Sequence, residues 1–221
     1  FERAGQVAGA KVAVSYTQLY NEAFHDLLDA ANPHELKLRR SEAKGVHVMG
    51  LTEKRVASAK ELLQLLAKAE ASRVTAATRL NAASSRSHAI LTISLTVPAR
   101  RASTGGGGGG GARTVTSRAN LVDLAGSERY RDAGDAPLRQ QESISINQSL
   151  TTLGLVIGTL AGSGGPREAA AAHVPYRNSK LTHLLKESLG GTALCVMLCT
   201  ISPAAASLHE TLSTLHFASR A

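Results

Sequence analysis

Tryptophan is absent from the 221-residue chain and aromatic residues make up only 3% of it, so any core must be packed from Leu, Val, Ile and Ala. Cysteine is nearly absent as well: Cys195 and Cys199 are the two present, four residues apart in one apolar run. No His or second Cys pair stands near them at metal-ligand spacing, so they read as small core residues. That usage fits a reducing, intracellular setting. No apolar stretch reaches the ~18 residues that a membrane span needs, and no signal-peptide pattern opens the chain. These absences lead to the expectation of a soluble, cytoplasmic protein. The first residue is Phe, not Met, so it need not be the natural start.

What is present suits one globular domain. Hydrophobic residues make up 43% of the chain and charged ones 19%, enough for a sizeable core. Lys and Arg number 25 against 17 Asp and Glu, a net charge of +8 that favours an acidic partner. Charge alone leaves open whether that partner is nucleic acid, an anionic membrane or an acidic protein surface.

Along the chain, Lys11–Tyr16 reads as a strand, and residues 34–56, with Gly45 and Gly50, as small strands and turns. Ser58-Ala-Lys-Glu61 is a capping box opening a helix whose apolar face is Leu62, Leu65, Leu66 and Ala69. His88–Val97 alternates apolar and polar residues, the signature of a half-buried strand. Gly105–Gly111 is predicted to be a flexible surface loop (102–113 with its flanks), because glycine loses the most backbone entropy on ordering. Asn120–Leu124 reads as a short buried strand. Ile146, Leu150, Leu153, Ile157 and Leu160 mark a long amphipathic helix, and a further helix spans about Ser179 to Leu189 with Gly190-Gly191 as its C-cap. Thr192–Ile201 reads as a fully buried central strand. Ser207-Leu-His-Glu210 suggests a second capping box. Strands alternating with helices predict an α/β fold with a central, mostly parallel mixed sheet flanked by helices.

Two strings carry chemistry. Asp123-Leu-Ala-Gly126 follows an apolar strand, the arrangement by which phosphate-hydrolysing enzymes sense a terminal phosphate: the carboxylate orders a metal-bound water and the glycine amide approaches unobstructed. By itself Asp-x-x-Gly is weak, but here it extends to Glu128. Asn81-Ala-Ala-Ser84-Ser85-Arg86-Ser87-His88 precedes the alternating strand and concentrates amide, hydroxyl and guanidinium groups suited to phosphate, Mg2+ or an attacking water.

These strings resemble those of the kinesin motor domain. Asn81–His88 is similar to its switch I string N-x-x-S-S-R-S-H, and Asn120–Glu128 to its switch II, with Asp123–Glu128 as the signature. Ser15-Tyr-Thr-Gln-Leu-Tyr-Asn-Glu22 through Asp26-Leu-Leu28 resembles S-Y-x-x-x-Y-N-E…D-L-L. Ile146–Leu150 resembles I-N-K-S-L, His173–Leu181 resembles H-V-P-Y-R-D-S-K-L, and Ser188–Gly191 and Glu210–Ala218 complete the series in family order.

The resemblance implies a P-loop-NTPase-like kinesin fold, here as a partial motor domain over 1–221 with its N-terminal strands missing. It also implies ATP and Mg2+ as cofactors, microtubules as partner, and a microtubule-associated, cytoskeletal location. Ser85 would coordinate Mg2+ and Asp123 would hold its water shell. Asn81 and Ser84 would position the γ-phosphate and attacking water, and the Gly126 amide would sense that phosphate. Arg86 and Glu128 would close the site as a salt bridge between mobile loops, a latch drawn shut when both loops engage phosphate. A relay helix is expected over about 141–161, and a track-binding loop and helix over 173–189 with Tyr176, Arg177 and Lys180. Tubulin is acidic, so the positive charge gains a partner without nucleic acid or membrane insertion; oligomerisation would run through regions outside this chain.

Three positions depart from the family pattern. Gln148 stands for the usual Lys, His183 for the usual Arg, and Asn178 for the usual Asp, at a helix start where Asn caps nearly as well. The phosphate-cradling string G-x-x-x-x-G-K-[ST] occurs nowhere in the 221 residues. The leading expectation is therefore an ATP-driven microtubule motor of which this chain is part, a microtubule-stimulated ATPase as the complete motor. The alternatives are a non-catalytic microtubule-binding module or a truncated fragment inactive alone. A GTPase is disfavoured because no N-K-x-D motif appears.

Overall fold

A computed structural model describes residues 1, 7–32, 34–42, 44–79, 86–99, 114–126, 137–162 and 173–219. The glycine-rich segment 102–113, Asn81, Ser84, Ser85 and Glu128 lie outside them. Seven strands are described: β1 (Lys11–Tyr20), β2 (Ala23–Asp26), β3 (Lys37–Ser41), β4 (Gly45–Met49), β5 (Lys54–Arg55), β6 (His88–Pro98) and β7 (Thr114–Asp123). The described α-helices are α1 (Ala59–Arg79), α2 (Pro137–Gly162), α3 (Lys180–Leu184), α4 (Lys186–Gly190) and α5 (Leu208–Ala218).

β1 is central. It pairs with β2 on one side and β6 on the other, and β7 follows β6 to give the order β2-β1-β6-β7, with β5 pairing the start of β1. Alternation sends side chains to opposite faces. Val14, Tyr16, Ala89 and Leu91 pack on one face against Leu27, Leu28, Val56 and the α1 residues Leu62 and Ala69. On the other, Leu19 and Ile90 pack with Phe24, Val48, Leu153 of α2 and Leu181 of α3. The result is a helix–sheet–helix sandwich, the expected α/β class. Every described pairing is antiparallel, where the strand–helix alternation suggested parallel inner pairs. β1–β2 is a two-residue hairpin, and the one described strand–helix–strand crossover, β5–α1–β6, makes β5 and β6 parallel but leaves β1 between them, so the two never pair directly.

The first capping box forms. Ser58 Oγ accepts from the Glu61 N–H at 3.1 Å, and Glu61 Oε2 reaches back to the Ala57 N–H at 2.7 Å. The second does not: Ser207 precedes α5 without a side-chain cap bond, because a 3-10 turn over Ala205–Ser207 leads straight into the helix. The helix expected over Ser179–Leu189 breaks at Leu185 into α3 and α4. Its cap is Ser179, whose side chain accepts from the Thr182 N–H, and not Asn178. Gly191 ends α4 with φ −94°, outside the left-handed region of a glycine C-cap. The glycines serve close approach instead: a Cβ on Gly190 would sit 1.9 Å from the Tyr176 hydroxyl, and one on Gly191 2.3 Å from the Glu187 carbonyl oxygen.

Thr192–Ile201 is not a buried strand. It is irregular, with Leu194 94% and Leu198 90% exposed, and Cys195 and Cys199 are exposed rather than core residues. β7 likewise starts earlier than predicted and is exposed along most of its length. Both departures have one cause. An apolar strand is buried by neighbours; β7 has a partner on its β6 side alone, and none of the described strands pairs with 192–201.

One turn organises the periphery. Asp26 is 8% exposed. Its Oδ1 accepts from the N–H groups of Leu28 at 2.9 Å and Asp29 at 3.2 Å, and its Oδ2 from the Thr52 N–H at 2.8 Å and Asn32 Nδ2 at 2.7 Å. Asp26→Ala strands these donors and is expected to cost about 3 kcal/mol of folding free energy, checked by the shift in urea midpoint at unchanged m-value.

Candidate functional site

The ends of β1, β6 and β7 meet above α1. Leu19 faces His88 across one ladder and Ala89 faces Asp123 across the next, so the close of the first string and the start of the second become neighbours. Arg73 of α1 lies beneath them, 5% exposed. Its guanidinium is 3.7 Å from both a Glu70 and an Asp123 carboxylate oxygen and donates to Ser87 Oγ at 3.5 Å. At 3.7 Å the carboxylate contacts act through charge more than as hydrogen bonds. Gln18 of β1 also donates to Ser87, at 2.7 Å. Tyr16 donates its phenol to Glu70. Burial, then that carboxylate, pushes the phenol pKa up to about 12, so it stays a donor.

Beside this cluster lies a second, drier one. His88 is 3% exposed; its Nδ1 accepts from the Ala125 N–H at 3.0 Å, and its Nε2 lies 2.7 Å from Ser149 Oγ on α2. Accepting at Nδ1 places the ring proton on Nε2, so the imidazole donates to the serine. Desolvation pushes the His88 pKa down to about 4, which keeps the ring neutral.

Beside α2, on the same face of the sheet, is the segment from His173 to Leu189. Tyr176 is packed rather than displayed: Lys186 Nζ sits 5.5 Å from its ring centroid, and burial followed by Glu187 raises its pKa. Lys180 leans on the β1–β2 hairpin, donating its backbone N–H to the Glu22 carboxylate at 2.9 Å and its ammonium to the Glu22 carbonyl. Glu22 and Asn21 form that turn with φ of 57° and 47°, unusual for Glu, and the grip on Lys180 holds it there. Arg177 is exposed. His183 is held below the ordinary histidine range by burial, then by Arg177 and Lys186. Gln148 of α2 donates to the Asn178 carbonyl at 3.1 Å, so two departures from the family strings touch.

Residues 2–221 match the kinesin motor domain. The chain belongs to the kinesin motor-domain family. It is 44% identical over 207 residues to kinesin-like protein KIN-12E of Arabidopsis thaliana, covering 94% of this chain and 16% of that protein. Against human kinesin-like protein KIF13A it is 44% identical over 212 residues, covering 96% of this chain and 11% of the relative. Among solved structures, the C-terminal motor and motor homology domain of Kar3Vik1, fused to a synthetic coiled coil, superposes with TM-score 0.79 at 32% identity, over 96% of this chain and 51% of that one. The motor domain of a Kar3-like kinesin from Ashbya gossypii gives 0.73 at 32% identity, over 96% and 59%. The chain thus spans a small share of the curated relatives and just over half of these solved motor chains.

Within this kinesin fold, Asp123 ends β7 with its side chain 73% exposed, and Gly126 follows the buried Ala125. Arg86 lies half-buried just ahead of β6. Asn81, Ser84, Ser85 and Glu128 fall outside the described residues. Tyr176, Arg177 and Lys180 share the turn before α3 and its first residue, and both cations are exposed. Arg73, Gln18, Glu70 and Ser149 went unforeseen. One signal was available: Arg73 continues the buried α1 face of Leu62, Leu66 and Ala69 at helical spacing, an Arg where an apolar residue belongs. Among the described residues no helix is long and apolar enough to cross a membrane.

The depressed histidine gives a pH test. The ordinary value is 6.5 and the folded value about 4, so above 6.5 both folded and unfolded chains carry neutral His88. As pH falls from there towards 4, only the unfolded chain takes the proton, and stability drops by up to on the order of 3 kcal/mol. His25 is also depressed by burial, so the difference between wild type and His88→Gln isolates the effect. Urea midpoints between pH 7 and 4.5 should fall less steeply in His88→Gln.

Proposed function

We propose that this chain supplies the switch and track-binding portion of an ATP-driven microtubule motor, coupling ATP hydrolysis to microtubule binding and movement in the cytoplasm. The observation that carries this reading is the junction of Asp123 and Ala125 with Ser87, His88 and Arg73. It joins the two phosphate-sensing strings to each other and, through Ser149, to the long helix α2.

The residues present suit the nucleotide and its metal. Among the described residues no three His, Cys, Asp or Glu side chains converge as a metal cage. Mg2+ needs none, since it keeps waters and relies on one or two protein oxygens plus phosphates. Asp123, mostly open to solvent at a strand end, fits the carboxylate that orders such a water. Ser85 would add a hydroxyl, and Asn81 and Ser84 would orient the γ-phosphate and attacking water. The Gly126 amide would donate to that phosphate. The bound metal would neutralise phosphate charge; the protein's part is to position and to sense. Arg86 and Glu128 would latch the two loops together, excluding water once closed. Tyr176, Arg177 and Lys180 would serve the track face, where tubulin's acidity suits a chain of net charge +8.

The test uses the complete motor that contains this segment. Arg86→Ala or Glu128→Ala should lower microtubule-stimulated phosphate release roughly 100-fold while nucleotide binding stays measurable. Near-normal release in either variant would overturn the latch. Co-sedimentation with microtubules that ignores ATP and its analogues would favour a non-catalytic binding module.

A further inference from the structure

We propose that His88 is a positioning residue that ties the backbone of the second switch to the relay helix, so that movement of Ala125–Gly126 is passed to α2 through one imidazole ring. The proposal rests on the motor reading above and specifies how its two ends are joined.

The geometry is that of a two-ended clamp. A neutral imidazole has one acceptor and one donor, and both are committed: Nδ1 to the Ala125 N–H at 3.0 Å and Nε2 to Ser149 Oγ at 2.7 Å. All three residues are sealed from water, with Ala125 4%, His88 3% and Ser149 2% exposed. Solvent therefore cannot replace either bond, and breaking one leaves a buried polar group stranded. The ring stands on the first residue of β6, whose ladder to β1 limits how far it can back away.

Ser149 is well placed to receive the displacement. One helical turn on, Thr152, Leu153 and Val156 are all buried, so the face that contacts His88 is the face α2 packs inward. The preceding residue, Gln148, bonds the Asn178 carbonyl at 3.1 Å, immediately before α3. A shift at Ala125 thus has a continuous route to the turn carrying Tyr176 and Arg177, hydrogen-bonded at both ends and covalent along α2 between Ser149 and Gln148. The ion-pair contacts of Arg73 form a looser parallel link, since Asp123 is mostly solvated. Spatial continuity becomes coupling only when the free energies prove linked, which sets the experiment.

In the complete motor, Ser149→Ala removes one end of the clamp without touching a nucleotide-binding group. It should lower microtubule-stimulated ATP turnover at least fivefold while turnover without microtubules and nucleotide affinity stay within twofold. His88→Asn keeps an oxygen near the Nδ1 position but does not reach Ser149, so it should lose stimulated turnover at least as far as Ser149→Ala, and the double variant should be no worse than His88→Asn alone. Stimulated turnover within twofold of wild type in Ser149→Ala, or losses that multiply in the double variant, would overturn the proposal. A second readout needs no activity: amide exchange at Ala125 and Gly126 should rise at least tenfold in Ser149→Ala, with β1 and β6 core amides unchanged. Unchanged exchange at those two amides overturns the clamp even in an active motor. An unmutated motor that turns over no ATP overturns the motor reading instead, and the exchange result then decides the clamp on its own.

Discussion

Nine residues of β1, from Lys11 to Leu19, face β6 from Thr96 to His88, and ten of β6 then face β7 from Thr114 to Asp123. Those two registers set where every functional group of the described site sits. A one-residue slip would turn each side chain to the opposite face, sending Leu19 and Ile90 out of their core and His88 away from Ser149. The apolar pattern forbids the slip: Val14, Leu19 and Ile90 are each no more than 2% exposed, and each such burial is worth roughly 1.5–3 kcal/mol. Core packing therefore holds the polar junction in place, since the same ladders carry both.

That junction is costly for a core. Arg73, Ser87, His88 and Ser149 are all at most 5% exposed. Burying such groups is tolerable only where hydrogen bonds replace water, and replacement by apolar residues of similar shape is often neutral or stabilising. Their partners explain what stability alone does not. Ser87 gathers Gln18 from β1 and Arg73 from α1, and His88 gathers the start of one loop and the middle of one helix. Each bond crosses between elements that would otherwise slide over apolar contacts, which resist displacement weakly and without direction. Hydrogen bonds of fixed geometry convert small movements into specific ones.

Local structure was largely legible in the sequence. Alternation in 91–97 and the capping box at Ser58 are determined by residues within a few positions of each other, so they could be read directly, whereas Ile90 breaks the alternation and is buried by Leu153 and Leu181 on the opposite face. The family strings placed Asp123 and Gly126 together before any geometry was known. What could not be read depends on distant neighbours. Thr192–Ile201 has a strand's composition, yet composition does not supply the flanking strands that would bury it. Leu185 divides a helix that the local pattern makes continuous, and Tyr176 lies against Gly190, a contact between residues fourteen apart. His88 and Ser149 belong to two separate sequence motifs; their meeting is a product of tertiary packing, and no local rule pairs them.

The surface around Tyr176 shows the same dependence on context for charge. A net +8 suggests a uniformly basic face, but the groups nearest Tyr176 are partly spent. Lys180 is turned onto the Glu22 turn and Lys186 onto the Tyr176 ring, while His183 is kept from protonating by burial and by the cations beside it. Gln148 contributes no charge and instead holds the Asn178 carbonyl. Among the described residues, one cluster of exposed positive charge lies on the β3–β4 hairpin, at Lys37, Arg39, Arg40 and Lys44, although Glu35 and Glu53 offset two of these at 2.7 and 2.6 Å. Attraction to an acidic surface falls off within about 10 Å at moderate salt, so a displaced charge steers approach more than it tightens a docked contact. The turn before α3 is therefore shaped by packing and hydrogen bonds to hold one geometry, and Arg177 is the cation it presents to solvent.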